Sequence, residues 1–486
     1  MLALLRQGVY GRIVSYEDTN DPDYLRMDPA MRGVVGGRAQ RKFAASSSEM
    51  GRFETKLPAT EENLAPLSSL CGRWVDTVHD RTGVNRLVLD MESSESPTYG
   101  EQEGSIYNGH FGCTCYSPLF CFNQFGDVEG ALLREGNAHS ARDWGVVLEP
   151  IAQRYCSRRI EKFFRADAAF AEPEVYRYLE QEGYGYAIRL PGNKVLYKAI
   201  EHLLKRPVGR PTREPKAFYH SFRYQAGSWD TDRRGMAEVE WHLGELFPRV
   251  GFIVTNLTWW SKNAVGFYDQ RGMAEQWIKE GKNAVKWTRL SCRQFKDNAV
   301  RLQLFVLACN LANFLRRLAL PRTILHWSLT TLREKLVKIG AKVARHSRYV
   351  IFQLAEVSVP GGLLAAILSR TQRLAPVPTL RKAAGAQGGM AGVTAGDVSL
   401  RPRQAALTAQ YQALEALQRR VRSRESRAFP ALTWLRRRLT MCAIGSKPGR
   451  PCRMGDVGYY RSAMRMVTRP DLQSSLLPRC PAGSDA

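Results

Sequence analysis

Twice in this sequence a short apolar run stops at a carboxylate. Leu87-Val88-Leu89 ends in Asp90, and the segment 160–165 ends at Ala166-Asp167. Runs this short suit buried strands better than helices. Helical stretches flank and separate them. One covers roughly 61–79, with Leu64, Leu67, Leu70 and Trp74 on one face. Another covers about 140–155, with Ser140 as N-cap and Asp143 three residues on. A third is opened by Pro173 and runs to about 182. Further strands are expected over 114–125, near 130–134 and over 184–190. Strands alternating with helices build an α/β sheet layer. Carboxylates at neighbouring strand ends meet at one edge of such a sheet, where active sites form, although an Asp after a strand is more commonly a turn or capping residue.

From 216 to 257 the pattern changes to aromatic and β-branched segments, at 218–224, 236–243 and 249–257. These read as an all-β insertion within the α/β domain. A long helix is expected from near Asn263 past Lys282, then two more helices and a strand over 349–357, completing the body by about 374. The longest apolar stretch, 302–315, contains Gln303, Asn310 and Asn313 and ends at Arg316-Arg317. It falls short of the ~20 residues that cross a bilayer, so it reads as a buried helix with no membrane role. Ten cysteines in 486 residues are too few for a disulfide scaffold. A cytoplasmic, reducing compartment follows.

The formal net charge is +25. Such an excess favours a polyanionic partner, most simply nucleic acid. It is concentrated at the end of the chain, where residues 376–486 carry 19 basic and 6 acidic side chains. This Gly-, Ala-, Pro- and Arg-rich tail reads as an irregular appendage, disordered or read through from unrelated sequence. The body is only mildly basic, so its function has to be read from particular residues.

The most specific of these lie in the stretch from Tyr268 to Lys282. On a continuous helix, positions 268, 275 and 282 lie seven apart and drift by only about 20° per step, and Arg271 stands one turn from both Tyr268 and Glu275. One face would then present a phenol, a guanidinium, a carboxylate and an ammonium. That set suits a metal-bound phosphodiester, with the carboxylate on the metal and the other groups on phosphates. The bland alternative is a solvated face of i,i+4 charge pairs. The spacing Tyr, two residues, Arg, three residues, Glu, six residues, Lys resembles the YREK signature of the DDE transposases of bacterial insertion sequences.

Other segments carry the same resemblance. Leu-Val-Leu-Asp90-Met-Glu92-Ser-Ser-Glu-Ser-Pro-Thr-Tyr-Gly100-Glu-Gln is similar to that family's first-carboxylate region. Phe-Phe-Arg165-Ala-Asp167-Ala-Ala-Phe170 is similar to its second. The segments 11–57 and 327–360 resemble the insertion sequence thirteen-eighty family, and the likeness covers about 5–375. It implies an RNase H-like catalytic core interrupted by a β-strand insertion. The expected domains are a helical N-terminal region (1–82), the catalytic domain (83–320, insertion about 205–258), a body of helices and a strand (321–375) and the basic tail. The resemblance makes Asp90, Asp167 and Glu275 the metal-binding triad, holding two Mg²⁺ ions for which Mn²⁺ can substitute. Tyr268, Arg271 and Lys282 become contacts to DNA phosphates. It also implies partners: the double-stranded terminal inverted repeats, target DNA, and a second copy of the chain in a homodimer on paired ends, acting at the nucleoid. Two departures stand out. Glu92 replaces an Asp often seen there but stays anionic, and Arg165-Ala166 stands where Gly is common before the second Asp.

Related proteins carry more sequence ahead of Arg6-Gln-Gly-Val-Tyr-Gly, so an N-terminally truncated reading frame is expected. The competing function is therefore an idle relic that holds DNA or inhibits an intact enzyme. Three further features remain open. His110, Cys113, Cys115 and Cys121 could ligate zinc, but Cys-x-Cys on a strand is more often core. Trp259, Trp260 and Trp277 could stack on an unpaired base or pack inside. The loop 206–213 could track a DNA backbone or stay solvated.

Overall fold

The computed structural model describes residues 1–374 except 19, 57, 210–212, 346–349 and 355–358. The expected tail lies outside the described residues, as does the middle of the 206–213 loop.

The N-terminal region is helical, with α1 (Leu2–Ile13), α2 (Asp21–Leu25), α3 (Pro29–Val35), α4 (Ser47–Lys56) and α5 (Glu61–Thr82). Helix α5 ends at Gly83, whose φ of +69° is the left-handed cap that a residue without Cβ adopts at little cost. The chain then enters β1 (Arg86–Ser93), followed by β2 (Ser96–Pro97), β3 (Ile106–Asn108), β4 (Cys113–Tyr116), β5 (Leu119–Asn123) and β6 (Val128–Leu132). The single strand expected over 114–125 is thus two, with Pro118 between them. Strand β4 joins a small sheet with β2 and β3, while β5 joins the main one.

Helix α6 (Trp144–Tyr155) precedes β7 (Glu161–Ala166), and α7 (Pro173–Gln181) precedes β8 (Gly185–Leu190). Ser140 does not cap α6. Asp143 holds that position in a left-handed conformation, and the Ser140 hydroxyl accepts from Ser93 instead. After α8 (Lys194–Ala199) come β9 (Lys216–Tyr224), β10 (Arg233–Trp241) and β11 (Arg249–Thr255).

The main sheet has eight strands in the order β6-β5-β1-β7-β8-β11-β10-β9. Strands β1, β7 and β8 are parallel at its centre, and both flanks are antiparallel. The β-rich segment is therefore continuous with the main sheet through the β8–β11 pairing, a mixed α/β architecture.

Alternation sorts the side chains into two layers. Leu87, Leu89 and Met91 of β1, with Phe164 and Ala166 of β7, pack against α6 and α7. Val88 and Phe163 face the other way, onto α9 (Ser261–Asp269). Beyond α9 lie α10 (Gly272–Glu280) and α11 (Phe295–Ala319), the helix expected over 302–315. By length and composition α11 could cross a membrane, but it is mostly buried inside the protein. Its polar residues close the open edge of β6. Asn310 accepts from the Val128 N–H at 2.7 Å and donates to the Val128 carbonyl at 2.8 Å, and Gln303 donates to the Ala131 carbonyl at 2.8 Å. Beyond α11 come α12 (Leu329–Leu332), a β12–β13 hairpin (Ala341–Arg345 and Val350–Leu354) and α13 (Gly361–Arg373). The strand expected over 349–357 corresponds to β13 where it is described.

Candidate active site

The chain does not run as one regular helix from 263 past 282. Helix α9 stops at Asp269, Gln270 and Arg271 keep right-handed helical angles, α10 starts at Gly272, and a π-helical turn follows over Gly281–Val285. That turn lies against Trp287, whose ring would meet a Cβ at position 281 at 2.4 Å, so Gly281 permits the close approach. Widened turns of this kind re-aim the side chains they carry, here Lys282.

Strand alternation puts Asp90 and Glu92 on the face of β1 that Val88 presents to α9. Likewise Arg165 and Asp167 follow Phe163 on β7. The parallel register pairs Asp90 with Arg165 and Met91 with Ala166. One step on, Glu92 falls beside Asp167, just past the end of β7.

The two levels have different partners. At the inner level the Asp90 side chain is fully enclosed, and Arg165 donates to both its oxygens at 2.7 Å. Arg165 also donates to the Phe267 carbonyl at 2.7 Å, which ties β7 to α9. At the outer level three carboxylates share the guanidinium of Arg271. Glu92 accepts a hydrogen bond from it, Asp167 stands 3.8 Å away and Glu275 3.6 Å. Asp167 also caps the short turn after β7 by accepting from the Ala169 N–H at 3.0 Å. Glu275 comes from the first turn of α10 and is half exposed. Lys282 stands apart from this group, donating to Glu95 at 2.5 Å. Tyr268 is buried among the apolar residues under α9.

The structure thus brings Asp167, Glu275 and Arg271 together but does not add Asp90 to them. Expected as the first metal-binding carboxylate, Asp90 is instead sealed one level below, its oxygens taken by Arg165. From the sequence, Glu92 stands out only as an anionic departure from the family pattern, with no metal role, and Glu95 not at all. The two-residue spacings 90/92 and 165/167 were the available signal, because they put each pair on one strand face.

The electrostatics follow this arrangement. Burial pushes the Glu92 carboxyl up, and the Asp167, Glu275 and Asp90 charges add to that, while Arg271 pulls it down; the result is about 7. Burial also raises the Tyr268 phenol, so it stays a protonated donor. The Arg271 Nε is buried without an acceptor.

Hard divalent ions take carboxylate oxygens from separate elements, and the outer level supplies such donors around one cation. The donor chemistry therefore fits. Among the described residues, however, no group of three His, Cys, Asp or Glu side chains is close enough to hold an ion as it stands. Arg271 occupies the middle, so an ion would displace it.

The zinc reading gains no support, since Cys115 and Cys121 are buried and Cys121 belongs to the apolar core. Trp277 packs on Phe122 and Trp259 on Phe163 and Phe267, so only Trp260 of the three is exposed.

Residues 1–376 match the sequence profile of a family described as "Transposase DDE domain group 1". No curated protein matches the chain. Among solved structures, the cryo-EM structure of a piggyBac transposase synaptic complex with hairpin DNA is similar at 13% identity. That match covers 78% of this chain and 73% of the other, with a TM-score of 0.34.

Proposed function

The chain belongs to the transposase DDE domain family, and on that basis we propose that it cuts DNA at the terminal inverted repeats of a mobile element and joins the freed ends to target DNA. The observation that carries this reading is the convergence of carboxylates from β1, the end of β7 and the start of α10 on one guanidinium. Acids from three separated segments crowd together at a sheet edge. Such crowding is costly unless cations arrive, and it is the donor set that divalent-ion chemistry on phosphodiesters needs. Bound there, Mg²⁺ would activate the attacking oxygen and stabilise the leaving one.

The chain's own groups do the rest. Asp167 and Glu275 supply oxygen donors. Arg271, with its Nε unsatisfied, has donors to turn toward a phosphate, and its planar fork suits that partner. Lys282 exchanges Glu95 for a phosphate as a point charge. The Tyr268 phenol remains a neutral donor behind Arg271. Two copies of the chain would hold paired ends, with Mn²⁺ able to replace Mg²⁺.

The test is strand cleavage of a supercoiled plasmid carrying the coding sequence with its own flanking DNA. Wild type with Mg²⁺ should nick at the element ends, and Glu275→Gln should not. Full cleavage by Glu275→Gln would defeat the proposal.

A further inference from the structure

We infer that Glu92, rather than Asp90, is the first metal-binding carboxylate of this centre, and that Asp90 and Arg165 form a closed ion pair positioning the strand ends beneath it. This assignment rests on the transposase reading and sharpens it.

The register is the first argument. Asp90 lies beside Arg165, and the next same-face position on each strand brings Glu92 beside Asp167. Two residues along a strand span about 6.6 Å, whereas a magnesium–oxygen bond is about 2.1 Å. An ion held at the level of Asp167 therefore meets the carboxylate of Glu92 and misses the one a full pleat below.

Saturation is the second argument. Both Asp90 oxygens accept from Arg165, whose remaining Nη1 is held by the Phe267 carbonyl. The pair is closed in charge and in hydrogen bonds, and neither member reaches solvent appreciably. To ligate an ion, Asp90 would have to leave Arg165 buried and unpaired.

Glu92 is the opposite case. Its carboxylate accepts from Arg271, the same guanidinium that faces Asp167 and Glu275. Whatever cation replaces Arg271 between those two acids also replaces it at Glu92. The extra methylene of Glu extends the carboxylate outward from the strand, toward the side on which α10 presents Glu275.

The pair below explains why Arg165 stands so close to a metal-binding edge. A guanidinium next to Asp167 would repel a divalent ion if its charge were free. Neutralised by Asp90 and tied to α9, it instead fixes the spacing of β1, β7 and α9 on which the outer acids depend.

The experiment is a Mn²⁺ titration of the full chain with a mixed-sequence duplex, read by electron paramagnetic resonance of free Mn²⁺, with thermal melting in parallel. Glu92→Gln should weaken Mn²⁺ binding by about tenfold or more, since even outer partners of metal sites act on that scale. Its melting temperature should not fall. Glu92→Asp should recover part of the affinity. The double substitution Asp90→Asn with Arg165→Gln, which leaves no freed guanidinium beside Asp167, should melt earlier yet, where folded, keep far more Mn²⁺ affinity than Glu92→Gln does. Asp90→Asn alone should bind Mn²⁺ more weakly than this double variant, because it frees the Arg165 charge. Undiminished Mn²⁺ binding by Glu92→Gln, beside a wild type that binds, would overturn this assignment alone. So would a folded double variant that loses Mn²⁺ binding as fully as Glu92→Gln. A wild type that takes up no Mn²⁺ with DNA would overturn the transposase reading as well.

Discussion

Two regions of this molecule are dense in charge, and they treat it differently. In the first, the β5–β6 hairpin places Asp127 and Glu129 under α5, α6 and α11, with no side-chain exposure at either. Asp127 accepts from Asn313 at 2.6 Å, from Asn123 at 3.2 Å and from Arg317. Glu129 accepts from Asn123 at 2.8 Å, from Tyr155 at 2.9 Å and from Arg154. His79 completes the group through Tyr155 and Asn123. Here each buried acid has about as many donors as it can use. In the second region, one guanidinium is divided among Glu92, Asp167 and Glu275, two of which are open to solvent. A closed network holds a fold together. An acid cluster short of cations at a sheet edge is poised to take them up.

The comparison can be broken by substitution, starting where the effect should be greatest. Asp127→Ala leaves Arg317 and Asn313 facing an empty acceptor site, and denaturant unfolding should show a loss of about 3 kcal/mol. A loss below about 1 kcal/mol would mean that the network is not what holds the hairpin to α11. Next comes acid sensitivity. Burial holds His79 down at about 4, against its ordinary 6.5. The unfolded chain then binds the proton more readily, so His79 contributes stability that is complete above pH 6.5 and is lost as pH falls toward 4, on the order of 2 kcal/mol. His79→Gln should flatten stability against pH in that window, and an unchanged slope would remove His79 from the account.

The acid centre should respond in function instead. Lys282→Ala should lower the slope of log affinity for DNA against log salt by about one unit, readable by fluorescence anisotropy across a salt series. The smallest effect on folding is expected for Glu275→Gln. Its half-exposed side chain should change unfolding free energy by no more than about 0.5 kcal/mol, even though cleavage is abolished. A large destabilisation there would make Glu275 a structural residue and erase the contrast between the two regions.

Much of this contrast was legible in the sequence, because local pattern decides it. Apolar runs ending at Asp90 and Asp167 marked the central strands, and the length and polar residues of 302–315 marked α11 as an inside helix. Asn310 and Gln303 looked like interruptions but are the groups that close the β6 edge. What was not legible depended on non-local pairing. The pairing of β1 with β7 decides that Asp90 meets Arg165 and Glu92 meets Asp167, and no local periodicity encodes that register. The break at Gln270 and Arg271 escaped notice for a related reason. Both residues keep helical angles, so their sequence gives no stop signal, and the packing of Gly281 on Trp287 shapes the turn beyond. The β-rich segment read as an insertion, without its place in the main sheet, because its link runs through β8, which pairs with β11 across the intervening α8, β9 and β10.

The most direct measurement is anomalous diffraction from crystals of the full chain grown with DNA and Mn²⁺. The account predicts a manganese peak bounded by the carboxylates of Glu92, Asp167 and Glu275, with the Arg271 guanidinium turned onto a phosphate. A well-occupied peak elsewhere, or Arg271 still lodged among the three acids with DNA bound, would contradict it.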